Sequence, residues 1–161
     1  MGQLPEDSAA TEHIDLADIP FAELHRPWGT TYMKLISVSL VTNTFVNIIK
    51  WPAGIQLARH HHTGTVHAYT MDGAWRYLEY DWVARAGSYV HEPPGTNHTL
   101  HVDEDTTAMF ITQGAFIYFD DNDNITAYSD AGTILGDVER ALQAQGLALP
   151  AGVVKDRPGV C

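Results

Sequence analysis

Between residues 54 and 98 the chain uses one spacing twice. Gly54 is followed by five residues and then His60, His61 and His62; Gly87 is followed by five residues and then Pro93, Pro94 and Gly95, with His98 three residues further on. In each half a glycine opens a strand, and in the second a Pro-x-Gly turn closes it. Residues two apart on a strand share a face, so His60 and His62 point one way and His61 the other. Two imidazoles on one side of a sheet can chelate one cation, and the remaining ligands must then come from elsewhere in the chain.

The rest of the sequence favours such a fold. "YMKLISVSL", "TNTFVNIIKWP", "TVHAYTMDG", "AWRYLEYDW", "GSYVHEPPG", "TLHV" and "AMFITQGAFIYFD" are short stretches rich in β-branched and aromatic residues. Gly54, Gly73, Gly87, the Pro93–Gly95 run and the "DDNDN" cluster at 120–124 punctuate them. Strands this short and numerous predict an antiparallel sandwich or barrel over residues 26–120, preceded by a polar arm of residues 1–25. An edge strand is expected in that arm around "HIDLADIP". Residues 121–161 carry a strand, a helix and a tail. The helix is predicted over "TILGDVERALQAQG": Thr133 caps it, Ile134, Leu135, Val138, Ala141 and Leu142 share a face, and Gly146 stops it. The tail "PAGVVKDRPGVC" carries no structural signal.

Composition narrows the class of partner. A length of 161 residues suits one domain, and 45% apolar with 18% charged residues reads as ordered and globular. A net charge of −11, with Lys and Arg scattered singly, argues against a nucleic-acid backbone or an anionic membrane surface as partner. No apolar run approaches membrane-spanning length, the N-terminus lacks a secretory pattern, and the single Cys161 excludes a disulfide framework. The expectation is a soluble cytoplasmic protein.

The two halves, Gly54 to His62 and Gly87 to His98, resemble the paired motifs of the cupins: a Gly, five residues, His-x-His, a Glu and a Gly; then a Gly, five residues, Pro-x-Gly, two residues and a His. The resemblance implies an all-β, single-domain cupin: a double-stranded β-helix, or jelly-roll barrel. One element departs from the pattern. The motif's Glu falls on Val66 or His67, and neither is a carboxylate. His60, His62 and His98 therefore stand as a three-histidine site. "RHHHTGTVHAYTMDGAWRYLEYDW" (59–82) and "HEPPGTNHTL" (91–100) resemble the 2,4'-dihydroxyacetophenone dioxygenases and, more distantly, the acetylacetone-cleaving dioxygenases.

Three neutral imidazoles suit iron, zinc, copper or nickel and leave the ion its full charge. Three positions of an octahedron stay open, enough for two adjacent substrate oxygens and O2. The resemblance implies Fe(II) and oxidative cleavage of a C–C bond in a 2-hydroxyketone or 1,3-diketone. A metal-dependent isomerase or epimerase, and a zinc-binding sensor without enzymatic activity, are the competing readings. Glu92 shares a face with Val90 and Ser88 and precedes the Pro93 turn, which makes it the candidate catalytic acid or base in the pocket. Trp75, Tyr77 and Tyr89, with Tyr80 and Trp82, are candidates for an aryl-binding wall or for core packing. His67 is open between a fourth ligand, a donor behind the ligands and a surface residue, and is counted with the substrate-binding candidates. His61, His91 and His101 have outward parity. Exposed sheet edges predict a homodimer or homotetramer.

Overall fold

Alternating apolar and polar residues through most of the chain pair into two sheets. The structure, a computed structural model, describes residues 11–156. The strands are β1 (Ala22–Arg26), β2 (Gly29–Ser39), β3 (Thr44–Trp51), β4 (His60–His62), β5 (Val66–Tyr77), β6 (Ala84–Arg85), β7 (Tyr89–Glu92), β8 (Asn97–His98), β9 (Leu100–Gln113), β10 (Phe116–Phe119), β11 (Ile125–Ser129) and β12 (Val154–Asp156). One helix, α1 (Ala131–Ala144), lies between β11 and β12. The larger sheet has the order β1-β2-β3-β9-β5-β6, with β12 added on β2 and β7 on β5; the smaller has the order β11-β10-β4-β8. Pairing is antiparallel except between β12 and β2. This is the cupin jelly roll that the motif pair implied.

Strand alternation decides which side chains enter the barrel. Phe45, Asn47 and Trp51 on β3, and Val66 and Ala68 on β5, are all buried. Two apolar clusters result. One joins α1 to β1, β2 and β3 through Leu24, Leu35, Val38, Phe45, Leu135, Val138 and Leu142. The other packs β3, β5 and β9 together through Trp51, Val66, Trp75, Leu100, Val102 and Phe110. Each fully buried side chain of this kind contributes about 1.5–3 kcal/mol.

Several local expectations are corrected. Gly73 does not end a strand. It lies inside β5, where the register with β9 shifts on both sides of it. Its φ is +81°, and a Cβ there would meet the Asp105 carbonyl oxygen at 2.1 Å, so no other residue fits this bulge. "TLHV" and "AMFITQ" are one strand, β9. The segment expected as an edge strand near "HIDLADIP" is a 3₁₀ turn at Leu16–Asp18, and the strand is β1, which starts four residues after Asp18. Asp130, not Thr133, caps α1: its side chain accepts from the Thr133 N–H at 2.9 Å, and the Thr133 hydroxyl answers at the Asp130 backbone. Ala141 is only half-buried, whereas Ala131 is fully buried on the helix face. The tail is structured as far as β12, with Val153 buried. Cys161 lies outside the described residues.

Candidate metal centre

Strand β4 is only three residues long, but its burial alternates as the parity requires: His60 and His62 are inside and His61 is half-exposed. Neighbouring strand β8 places His98 directly opposite His60. Two further backbone bonds close the arrangement: His62 N–H donates to the Thr96 carbonyl at 3.0 Å, and Gly95 N–H to the His62 carbonyl at 2.8 Å. The Pro93–Gly95 turn is thus held against β4. One ring nitrogen from each of His60, His62 and His98 lies within 4.8 Å of the other two. His62 Nε2 and His98 Nε2 are 2.9 Å apart. Nδ1 of His60 sits 2.9 Å from the Ala58 carbonyl, so it carries the proton and leaves Nε2 free to ligate.

Burial keeps these rings neutral. Desolvation lowers His62 to about 2 and His98 to about 3, with the neighbouring imidazoles adding to the effect, and it lowers His60 as well. Three buried, uncharged imidazoles with converging nitrogens fit a divalent cation of the iron, nickel or zinc type.

Glu92 is 3% exposed and lies beside the triad. Its Oε1 accepts a hydrogen bond from the Tyr77 hydroxyl. Its Oε2 is 3.1 Å from His62 Nδ1 and 3.5 Å from His98 Nε2. The first approach is short but lacks hydrogen-bond alignment, and both His62 Nδ1 and Glu92 Oε2 are without a partner among the described residues. Burial raises Glu92 to about 7, against the lowering effect of the Tyr77 hydrogen bond. Across β5 and β7, Glu92 pairs with Val66, one of the two positions where the usual cupin glutamate would fall. A carboxylate on the neighbouring strand thus faces the site.

His60, His62 and Glu92 border a cavity of about 340 Å³ between the two sheets. Its walls include Trp28, Phe45, Asn47, Trp51, Tyr77, Phe110, Phe116 and Tyr118. Arg26, Tyr128, Ser129, Thr133 and Asp137 also line it, and an Arg26–Asp137 ion pair of 2.6 Å ties β1 to α1.

Of the sequence candidates, Tyr77 and Glu92 line this cavity together with His60 and His62, and His98 completes the triad. His67, Tyr89 and Trp75 do not line it. His67 is on the outer face of β5, stacked on His91, and its Nδ1 is 2.7 Å from the hydroxyl of Tyr89, which is 62% exposed. Strand parity puts Val66 inside and His67 outside, so neither His67 nor Tyr89 enters this cavity. Trp75 is wholly buried in the second apolar cluster, and its indole N–H donates to Thr70 at 2.9 Å. Tyr80 and Trp82 stack on each other at the surface. The wall residues of β3, Phe45, Asn47, Ile49 and Trp51, escape the sequence reading, although their two-residue spacing in "TFVNIIKW" is a readable signal.

A double-stranded barrel with a buried histidine triad beside an aromatic cavity defines a cupin with a candidate metal site. The chain belongs to the ChrR cupin-like domain family, whose model matches residues 9–117. It is 35% identical to an RmlC-like cupin protein from Ralstonia eutropha, with a TM-score of 0.81 over 89% of this chain and 94% of that one. A second Ralstonia eutropha protein, of unknown function and cupin-like fold, is 26% identical, with a TM-score of 0.85 over 98% and 99% of the two chains. An acetylacetone dioxygenase from Acinetobacter johnsonii shares the fold at 20% identity, with a TM-score of 0.76 over 88% and 99%. No curated protein matches the chain. Among the described residues no helix is long and apolar enough to cross a membrane.

Proposed function

We propose that this protein is a mononuclear metal-dependent dioxygenase that cleaves a C–C bond of a small 2-hydroxyketone or 1,3-diketone. The observation that carries the reading is the convergence of three buried neutral imidazoles, without a motif glutamate, beside an aromatic cavity. His60, His62 and His98 would hold the ion, with Fe(II) favoured and Zn or Ni accommodated by the same donors. A bound ferrous ion would supply Lewis acidity toward paired substrate oxygens and the redox chemistry for O2.

The chain's own residues do the rest. The aromatic walls exclude water and position a flat substrate. Glu92 Oε2, free of a hydrogen bond, takes the proton that a hydroxyketone or diketone must lose to become an enolate. Tyr77 holds that carboxylate through Oε1 and so fixes the direction of Oε2. The fold shared with an acetylacetone dioxygenase supports the scaffold for such chemistry.

The test is metal analysis of protein purified without added metal, joined to oxygen-electrode assays with aryl 2-hydroxyketones and 1,3-diketones. Iron-dependent oxygen uptake with a cleaved product is expected. Turnover of such a substrate without oxygen uptake would replace the reading with an isomerase. No turnover with any metal would replace it with a zinc-binding sensor. The active form proposed is a cytoplasmic homodimer or homotetramer, and a monomer in light scattering at micromolar concentration would overturn that part.

A further inference from the structure

The outer face of the larger sheet carries side chains that the proposed chemistry leaves idle. Cross-strand pairing sets them in two rows. Val46 on β3, Ile111 on β9, His67 on β5 and His91 on β7 are register partners in turn. Ile48, Met109, Tyr69 and Tyr89 form the second row on the same four strands. Their strand neighbours Phe45, Asn47, Val66 and Phe110 line the cavity, so both rows point outward. Large side chains stand free here: Tyr69 is 46% exposed, Ile111 42% and Tyr89 62%, with Met71 beside them at 47%. Helix α1 packs on β1, β2 and β11 instead. The described part of the N-terminal arm keeps to the β2 side of the sheet. There Lys34 Nζ donates to the Leu16 carbonyl at 2.6 Å, and Glu12 pairs with Lys155 of β12.

Charge decides what fits this face. Neither row holds an Asp, Glu, Lys or Arg, in a chain whose net charge is −11. A nucleic acid, an anionic membrane or a charged peptide finds no counter-charge on it. Two copies of so acidic a chain repel, and an uncharged face is where they approach at least cost. The side chains also suit copies of themselves. Tyrosine hydroxyls and neutral imidazoles both donate and accept hydrogen bonds, so Tyr69, Tyr89 and His91 can each meet a like group across a two-fold axis. Tyrosine and methionine without charge is the make-up of an interface core.

We infer that this outer face, centred on Tyr69 and Ile111, docks a second copy of the chain, the two sheets stacking face to face about a two-fold axis. The inference rests on the homo-oligomer reading given above and moves the contact from the sheet edges to the sheet face. It gives His67 and Tyr89 a place in the assembly that the cavity does not offer them.

The experiment is light scattering on the full-length holoprotein, with Tyr69→Glu/Ile111→Glu as the face variant and Ile125→Glu as the control. Ile125 is 68% exposed on β11 of the smaller sheet. The particle mass of the wild type should be halved in the face variant, where carboxylates from both copies would be forced together, and unchanged in the control. A face variant of wild-type mass would overturn the inference and leave the oligomer to the sheet edges. A control that dissociates as readily would overturn it too. A monomeric wild type would overturn the homo-oligomer reading and the inference with it. Should the face variant fail to fold, hydroxyl-radical footprinting of the wild-type oligomer decides. Tyr69 and Tyr80 are equally exposed in the single chain, at 46%. Tyr69 and Tyr89 should be labelled several-fold more slowly than Tyr80, and equal labelling of the three would overturn the inference.

Discussion

The ring of Tyr77 lies flat against the ring of His98, with centroids 3.5 Å apart and planes 8° from parallel. The same residue donates its hydroxyl proton to Glu92. One side chain therefore steadies a ligand with its face and the candidate base with its tip. Tyr77→Phe keeps the stack and removes only the hydrogen bond. We expect full metal content and reduced turnover. The Tyr77 hydrogen bond favours ionised Glu92, so its loss raises the carboxyl pKa and moves the acid limb of the kcat/KM profile to higher pH. An unmoved acid limb would show that Glu92 is not the titrating base.

His60→Ala, His62→Ala and His98→Ala should each remove most of the bound metal, read by elemental analysis of the purified variants. His61→Ala should retain it, because His61 turns away from the triad and its Nδ1 lies 3.2 Å from Asn97 Oδ1. Metal loss in His61→Ala with retention in His60→Ala would contradict the register of β4.

Glu92→Gln tests the carboxylate apart from the ligands. We expect metal at near wild-type stoichiometry and turnover lower by roughly 10²–10⁴-fold, the usual worth of a general base. A variant stripped of metal would make Glu92 a fourth ligand. Full activity would leave substrate ionisation to the ion alone.

The metal-free protein should lose stability in acid. An unfolded imidazole takes up a proton near 6.5, but folded His62 and His98 do so only at about 2 and about 3. Below 6.5 the unfolded chain binds more protons, so stability falls as pH drops through that range toward 3. Glu92 acts oppositely: raised from 4.5 to about 7, it is protonated first in the folded state and stabilises as pH falls across that interval. Three imidazoles outweigh one carboxyl below about pH 6. The thermal midpoint of chelator-treated protein should fall from about pH 7 to about pH 5, and more steeply in Glu92→Gln. A flat profile would mean that the rings are solvated.

The parity of His60 and His62, and the turn before His98, were legible because a period of two and a Pro-x-Gly turn are local properties. What stayed hidden depends on neighbours across the barrel. The bulge at Gly73 exists because the β9 backbone approaches it, and nothing in "MDGAW" announces β9. His67 was drawn toward the site by its nearness to the motif's glutamate position, but the inward residue is Val66. That Glu92 stands opposite Val66 needed the β5–β7 pairing. Asn47 was missed because an asparagine inside an apolar strand looks unremarkable until its partners are counted.

Strands β4 and β8 share only two register pairs, His60 with His98 and His61 with Asn97. One of those pairs joins two members of the triad. An ion held there would act as a crosslink between segments separated by more than thirty residues of chain, comparable to a disulfide in what it denies the unfolded state. Occupancy and fold stability would then be one linked equilibrium, with each tenfold rise in free metal above the dissociation constant worth about 1.4 kcal/mol. Metal supply would set how long the chain survives as well as how fast it turns over.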